Sequence, residues 1–114
     1  MFEEIKKKYQ EMFREEKLPY LKCTRCGHSF YYPRDYCPKC RSRELEVKES
    51  RGIGSVFSVT KFRDRDNKEV YYGIVELEEG FRLYTNFLVP VEIGDKVRVK
   101  FLGKESKVPY FEKI

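Results

Sequence analysis

The sequence predicts a mainly β protein with one N-terminal helix, a small four-cysteine metal ribbon and a small antiparallel barrel. Two Cys-x-x-Cys pairs lie ten residues apart in the first half of the 114-residue chain. The first 17 residues have helical periodicity, and the residues from 47 onward read as short strands with no room for a crossover helix. We therefore expect a helix over 1–19, a ribbon over 20–46 and a barrel over 47–114.

Residues 1–17 form the predicted helix, which Pro19 ends near Leu18. Its apolar residues recur at spacings of three and four and make one stripe: Phe2, Ile5, Tyr9, Met12 and Phe13. A free helix of this length is marginal in water, so something must cover the stripe. Two covers remain open: the rest of the chain, or a partner protein for which these five residues are the docking surface.

The predicted metal ligands are Cys23, Cys26, Cys37 and Cys40. A two-residue gap allows one tight turn to aim both thiolates of a pair at a single ion about 2.3 Å away. Structural zinc is favoured, and a rubredoxin-like iron site is the alternative because iron accepts the same four sulfurs. Since cysteine fills every position, no position is open for substrate. His28 is interpreted as an exposed strand residue rather than a ligand.

Local sequence around the pairs agrees with metal knuckles. Gly27 fits the left-handed conformation that such a turn needs, and Pro38 presets φ within the second pair. The ribbon is too small to build its own apolar core, so we expect chelation to loosen it while the barrel stays more intact. No apolar signal stretch follows Met1 and no run approaches ~18 apolar residues, which predicts a cytoplasmic protein without a membrane span.

Five strands are predicted for the barrel, over 54–63, 70–77, 81–87, 96–101 and 108–113. Gly73 indicates a bulge or sharp bend in the second strand. Strict alternation over 96–101 directs Val97, Val99 and Phe101 inward. Five short strands with one bent early strand fit an OB-fold best, and an SH3-like barrel is the alternative.

Composition and motifs argue against catalysis by this chain. Its net charge of +5 permits an anionic partner without requiring one. No free cysteine, Ser/His/Asp set or nucleotide-binding loop is visible. The neighbouring carboxylates Glu76, Glu78 and Glu79 are interpreted as a solvated hairpin end. We therefore predict a binding protein rather than an enzyme.

The order of helix, ribbon and barrel resembles the domain of unknown function 35 family, the acyl-CoA-associated proteins with a rubredoxin-like zinc ribbon and an OB-fold. The resemblance rests on Leu-Lys-Cys-Thr-Arg-Cys-Gly at 21–27, Pro33-Arg34 before the second pair, Gly-Ile-Gly-Ser-Val-Phe-Ser-Val-Thr at 52–60, and Val-Glu-Ile-Gly-Asp-Lys-Val at 91–97. It implies a non-catalytic subunit that partners thiolase-like and hydroxymethylglutaryl-CoA-synthase-like enzymes and binds CoA or acyl-CoA.

A barrel with this role would hold CoA by stacking, apolar contact and phosphate pairing. The candidate aromatic residues are Tyr71, Tyr72, Tyr84 and Phe87, and the candidate cations are Arg34, Arg63, Arg65, Arg82, Arg98 and Lys100. The alternative function is single-stranded nucleic-acid binding, which OB-folds also perform. It is disfavoured because the segment after residue 50 has 12 basic and 10 acidic residues rather than a basic stripe.

Overall fold

A computed structural model of the chain describes residues 2–103 and 107–114. In this part of the chain, one helix is followed by eight strands. The elements are α1 (Phe2–Arg14), β1 (Leu18–Cys23), β2 (Ser29–Phe30), β3 (Leu45–Ser50), β4 (Ile53–Arg63), β5 (Glu69–Leu77), β6 (Arg82–Phe87), β7 (Lys96–Leu102) and β8 (Val108–Lys113). The described helix is too short and too polar to cross a membrane.

The helix ends earlier than the predicted span of 1–17. Helix α1 stops at Arg14, and Glu16 takes a left-handed φ of 58°. The backbone N–H of Lys17 donates to Met12 O at 2.8 Å, which closes the last turn. The chain then enters β1, where Pro19 lies opposite Glu49 of β3. Pro19 therefore lies inside strand β1, and the helix ends at the turn before this strand rather than at the proline.

A three-stranded antiparallel sheet in the order β2-β1-β3 supports the metal ribbon. Strand β3 pairs with β1 along its whole length, from Leu18 opposite Ser50 to Cys23 opposite Leu45. The predicted boundary between residues 46 and 47 is therefore wrong, because it cuts β3 in two. The ribbon extends to Ser50, and the barrel begins at Ile53.

The barrel closes in the strand order β4-β5-β6-β8-β7, with β4 also paired to β7. One parallel contact, Phe87 opposite Phe111, joins β6 to β8 among otherwise antiparallel pairs. This is the five-stranded OB-fold order, which confirms the favoured prediction over the SH3-like alternative.

The bend in the barrel lies on β4 rather than at Gly73. The β4–β5 register shifts between Val56 and Ser58, which leaves Phe57 as the extra residue of a bulge. Gly73 lies on the opposite strand, where a Cβ atom would come within 2.0 Å of Ser58 O. Glycine is needed there because β4 crosses β5 at close range.

Ribbon and barrel share one apolar core. Leu18 and Tyr20 of β1 belong to the same buried cluster as Val75 and Phe81 of the barrel. The Tyr20 ring stacks on Phe81 with centroids 4.7 Å apart. Phe13 of α1 packs against this cluster and against a second, smaller one under the helix. The three segments are consequently one cooperative unit rather than modules joined by a linker.

The helix stripe is covered by the chain itself. Ile5 and Tyr9 are buried and pack with Leu21 of β1 in the smaller cluster. The Tyr9 hydroxyl donates to Tyr31 O at 2.7 Å, and burial raises the pKa of that phenol. A partner cannot reach Ile5 or Tyr9, so their prediction as docking residues is wrong. Phe13 is half-buried in the same packing.

Two residues of the stripe are less enclosed. Met12 is half-buried, and Phe2 is exposed with the ammonium of Lys6 lying 5.5 Å from its ring centroid. These two residues alone form no continuous apolar surface. Phe2 and Met12 lie at opposite ends of α1, so they do not form a docking surface together.

The segment between ribbon and barrel is held rigidly at residues 50–52. The Ser50 hydroxyl donates to Glu79 Oε1 at 2.7 Å, and the Arg51 N–H donates to Glu79 Oε2 at 2.8 Å. Gly52 has a φ of 74°, and a Cβ atom there would lie 2.3 Å from Val99 Cγ1. Glu79 is thus a structural clamp rather than the solvated hairpin end that the sequence predicted.

Candidate functional site

The four cysteine sulfurs form one compact cluster. Their Sγ atoms all lie within 4.8 Å of one another, and the pairs Cys23–Cys40 and Cys26–Cys37 are each 3.6 Å apart. Four sulfurs placed tetrahedrally around an ion at about 2.3 Å would be roughly 3.8 Å apart. The spacing therefore fits a single four-coordinate metal ion. The two 3.6 Å distances each connect a sulfur of one knuckle with a sulfur of the other.

Both knuckles have the same backbone construction. Gly27 N donates to Cys23 O at 2.9 Å, and Arg41 N donates to Cys37 O at 2.8 Å. Gly27 and Arg41 each take a left-handed φ, of 80° and 64°. A Cβ atom on Gly27 would meet nothing within 4 Å, so conformation rather than crowding explains the glycine. The left-handed prediction for Gly27 agrees with the structure.

Backbone amides stabilise the thiolate form of the two buried ligands, Cys23 and Cys37. Cys26 N lies 3.5 Å from Cys23 Sγ, and Lys39 N lies 3.4 Å from Cys37 Sγ. The hydrogen bond from Cys26 outweighs desolvation and lowers the pKa of Cys23 to about 6. A thiol that ionises near neutral pH is ready to bind a metal ion. In each pair one cysteine is buried and the other is exposed.

His28 has a structural position beside this cluster. Its carbonyl accepts from Cys23 N at 2.9 Å, and its ring stacks on Phe30 with centroids 5.7 Å apart. Among the described residues, the group of metal donors comprises the four cysteines without His28. The side chain is half-buried rather than exposed as predicted.

The structure separates the predicted ligand-binding residues into several places. Tyr71 lines a cavity of about 520 Å³ at one end of the barrel. The other lining residues are Val59, Lys61, Pro90, Val91, Glu92, Asp95 and Lys113. Arg63 lies beside it, because Arg63 and Lys61 both pair with Glu69, at 3.8 and 3.2 Å. The cavity itself is lined by two cations, two carboxylates and one aromatic ring, and Arg63 is a third cation beside it.

Hydrogen bonding around Glu69 organises this cavity edge. Lys61 donates to Glu69, which lowers the pKa of the carboxyl and raises that of the ammonium. The Tyr71 hydroxyl also donates to Glu69 at 3.2 Å, and Lys61 Nζ lies 6.0 Å from the Tyr71 ring centroid. Lys113 pairs with Asp95 at 3.5 Å across the cavity. The cations of these ion pairs are more than half exposed, so an incoming anion would displace the pairs at little cost.

Tyr72 and Tyr84 lie on the outer face of the barrel. Their rings are nearly parallel, with centroids 6.2 Å apart and planes 10° apart. Arg82 lies on the same face, where it pairs with Glu76 at 3.2 Å and its guanidinium stands 3.8 Å from the Phe57 ring centroid. Tyr72 and Tyr84 are 40% and 58% exposed, and Glu76 and Arg82 line a separate cavity of about 340 Å³ against the ribbon loop.

The remaining candidates do not join either group. Phe87 is buried in the barrel core, so its prediction as a ligand-binding residue is wrong. The alternation in β6 explains this, because Leu83, Thr85 and Phe87 face inward. The cations Arg34 and Arg65 are exposed on loops, and Arg98 and Lys100 are exposed on β7.

Sequence reasoning missed three exposed aromatic residues: Tyr32, Phe57 and Phe62. The hydroxyl of Tyr32, in the ribbon loop, accepts from Tyr84 N at 2.9 Å. No local pattern predicts a contact across 52 residues. Strand alternation explains the exposure of Phe62: neighbouring residues of a strand face opposite sides, and Lys61 faces the cavity.

The fold and the cluster of four cysteine sulfurs together define a rubredoxin-like ribbon fused to an OB barrel. Residues 11–46 match the family model of the ChsH2 rubredoxin-like zinc ribbon domain. A DUF35 domain-containing scaffold protein of Methanothermobacter thermautotrophicus is 30% identical over 111 residues, covering 89% of this chain and 84% of that protein. The chain belongs to the DUF35 family.

Other relatives agree with this assignment. A DUF35 domain-containing scaffold protein of Methanocaldococcus jannaschii is 38% identical over 69 residues, which cover 55% of this chain and 49% of that protein. A probable enoyl-CoA hydratase alpha subunit of Thermomonospora curvata is 30% identical over 106 residues, 86% of this chain but only 33% of that protein. The chain therefore corresponds to one part of some longer relatives.

Solved structures match over nearly the whole chain. The Ltp2-ChsH2(DUF35) aldolase superposes with a TM-score of 0.81 at 26% identity and covers 94% of this chain and 92% of that one. A DUF35-family protein of unknown function from Sulfolobus solfataricus superposes with a TM-score of 0.74 at 19% identity, covering 95% and 84%, and shows the shared fold.

Proposed function

We propose that this chain is a non-catalytic subunit of an acyl-CoA-processing enzyme complex, with a thiolase-type enzyme or a hydroxymethylglutaryl-CoA synthase as its partner. The observation that carries the proposal is the match to the DUF35 chain of an aldolase assembly over 94% of this chain. Relatives named as scaffold proteins support a non-catalytic role. A relative named as an enoyl-CoA hydratase subunit supports CoA thioesters as the substrate class.

The chemistry of the described residues agrees with a supporting role. All four cysteines meet in one cluster, and a full set of sulfur ligands leaves no open coordination position. We propose that this cluster holds structural zinc. The carboxylates at the β5–β6 turn bind the chain itself, since Glu79 clamps residues 50 and 51 and Glu78 pairs with Arg51 at 3.3 Å. None of these groups is arranged as a general acid–base pair.

We place the CoA contact at the barrel-end cavity rather than on the outer face that carries Tyr72 and Tyr84. Small molecules bind in concave sites of roughly 300–1,000 Å³, and the cavity beside Tyr71 measures about 520 Å³. Lys61, Arg63 and Lys113 would meet phosphate groups, and the Tyr71 ring would contact the apolar part of the ligand. Their exposed ion pairs give way at little cost, so the cations are available to an anion.

The proposal is tested in two stages. A tagged full-length chain loaded with zinc is incubated in native extract, and bound proteins are identified by mass spectrometry. We expect an enzyme that acts on CoA thioesters. Recovery of nucleic acid with a steep salt dependence would instead favour the single-stranded nucleic-acid alternative, because neutralising phosphates releases counterions.

The second stage tests the CoA site on the purified chain with its partner. Replacing both Lys61 and Lys113 with Ala should weaken CoA binding roughly thirtyfold, since two charge-assisted phosphate contacts of about 1 kcal/mol each are lost. Lys100→Ala is the matched control, because Lys100 is an exposed lysine on another part of the barrel. Equal CoA affinity for all three proteins would reject this site while leaving the partner role intact.

A further inference from the structure

The outer face of β4, β5 and β6 is uncharged over three successive cross-strand rows. The strand registers place Phe62 beside Val70, Thr60 beside Tyr72 and Asn86, and Ser58 beside Ile74 and Tyr84. The next row ends the uncharged region with the Glu76–Arg82 ion pair. We call these eight residues, with Phe57 and Tyr32, the aromatic face.

The aromatic face exposes five large rings: Tyr32, Phe57, Phe62, Tyr72 and Tyr84 are between 40% and 58% exposed. Isolated exposed rings are ordinary on protein surfaces, but a contiguous group is not. Here three of the rings are neighbours, because Tyr84 contacts both Tyr72 and Tyr32 at centroid distances of 6.2 and 6.5 Å. Phe57 and Phe62 lie on β4, on either side of Ser58 and Thr60 in the same face.

The opposite side of the same barrel shows the contrast. On β7, Lys96, Arg98 and Lys100 are exposed, and Arg98 pairs with Glu112 of β8 at 3.6 Å. The chain as a whole is 38% charged. The aromatic face therefore lacks charge where the rest of the barrel surface has it, and charge depletion with aromatic enrichment distinguishes the core of a protein–protein interface.

We infer that the aromatic face is the surface on which a partner protein docks, through an uncharged, apolar patch of its own. This inference rests on the proposed function, which requires a partner enzyme, and it moves the docking surface from the buried helix stripe to the barrel. A polyanion does not fit, because the cations at the two ends of the face, Arg82 and Arg63, are paired with Glu76 and Glu69.

The dimensions of the face agree with this role. Three strands about 4.8 Å apart and three rows about 7 Å apart cover roughly 300 Å². Stable interfaces bury about 800 Å² on each partner, so this face is the size of an interface centre. A charged rim surrounds it, with Arg82 and Glu76 at one end and Arg63 and Glu69 at the other. The arrangement of apolar centre and polar rim is the usual one.

The test places a charge in the middle of the face. Thr60 is exposed and lies between Phe62 and Ser58 on β4, so Thr60→Glu and Thr60→Lys change the surface without touching the core. Against the captured and identified partner enzyme, we expect both variants to weaken binding at least tenfold, because a charge of either sign would be desolvated. Lys100→Glu, on the far side, should bind like the parent chain although it changes the charge by two.

A second pair of variants removes the rings. Replacing Tyr84 and Phe62 together with Ser should also cost at least tenfold in affinity, whereas Tyr36→Ser, at an exposed ribbon tyrosine outside the face, should not. Unchanged thermal melting shows that each variant is folded.

Each other outcome overturns the inference in a recognisable way. Partner binding that withstands both the Thr60 and the ring variants would place the interface elsewhere and leave the proposed function standing. Tighter binding by Thr60→Lys alone would show an anionic occupant. Light scattering that finds a dimer of the parent chain, dispersed by Thr60→Glu, would assign the face to a second copy. Failure of the parent chain to bind any CoA-thioester enzyme would remove the proposed function itself.

Discussion

Removing the metal should destabilise the barrel as well as the ribbon. The sequence alone favoured a barrel that survives chelation, because the two segments read as separate modules. In the structure, Leu18 and Tyr20 of the ribbon strand β1 lie in the barrel core and are 1% and 7% exposed. Without metal the two knuckles lose their common anchor, and β1 loses the structure that holds these side chains in place.

The magnitude follows from the burial of these two side chains. Fully burying a large apolar side chain contributes about 1.5–3 kcal/mol, so the barrel without Leu18 and Tyr20 would lose about 3–6 kcal/mol. The whole stability of a small domain is about 5–15 kcal/mol. The melting temperature of the barrel should therefore fall by roughly 10–30 °C when the metal is removed.

Amide hydrogen exchange measures this effect residue by residue. With the metal bound, Leu21 in the ribbon and Val75 in the barrel should both exchange slowly, since each is fully buried. After chelation we expect both amides to lose protection, and returning zinc should restore it. If Val75 kept its protection while Leu21 lost it, the barrel would be an independent unit and the argument from the shared core would fail.

Three further predictions concern the junction and its tyrosines. In urea titration, Gly52→Ala should lower the free energy of unfolding by about 2–4 kcal/mol, because the alanine must adopt a left-handed φ and its new Cβ atom meets Val99. Gly80→Ala is the control: its φ is also left-handed but the space around it is open, so it should cost about 1 kcal/mol. Glu79→Ala should cost about 1–3 kcal/mol because Ser50, which is buried, loses its acceptor. Burial raises the pKa of Tyr31 to about 12 while an unfolded tyrosine ionises near 10, so this stability is complete below pH 10 and is lost as the pH rises through 12. Urea titrations at pH 9 and 11.5 should show a loss of about 2 kcal/mol from Tyr31, and Tyr31→Phe should remove that share while the loss from Tyr9, whose pKa burial also raises, remains.

The parts of this molecule that sequence reasoning found are those fixed by local chemistry. The four cysteines are close in sequence, so their spacing alone predicts one site. Gly27, directly after Cys26, predicts the left-handed turn. Strict alternation located β7 and its inward residues Val97 and Phe101. Such features depend on neighbours within a few residues, which a single sequence displays.

The errors concern contacts between distant segments. Strand β3 was divided because its partner is β1, which lies more than twenty residues earlier in the chain. The sequence does not decide what covers the helix stripe, because the covering residue, Leu21, belongs to a different element, β1. Phe87 was assigned to a ligand site although the alternation of β6 places it inside with Leu83. Periodicity shows which side chains must be buried, but it does not show which element of the chain packs against them.

The ribbon loop at Tyr31 and Tyr32 explains why these segments form one unit. Tyr31 O accepts from the Tyr9 hydroxyl of the helix, and the Tyr31 ring lies parallel to Phe81 of the barrel at 6.3 Å. Tyr32 accepts from Tyr84 N on β6, a strand that joins β8 through a single register pair. The loop between the metal knuckles thus supplies hydrogen bonds and rings where the barrel pairing is weakest. A metal that holds this loop also holds one edge of the aromatic face, so loss of the ion should weaken partner docking before any ligand residue is changed.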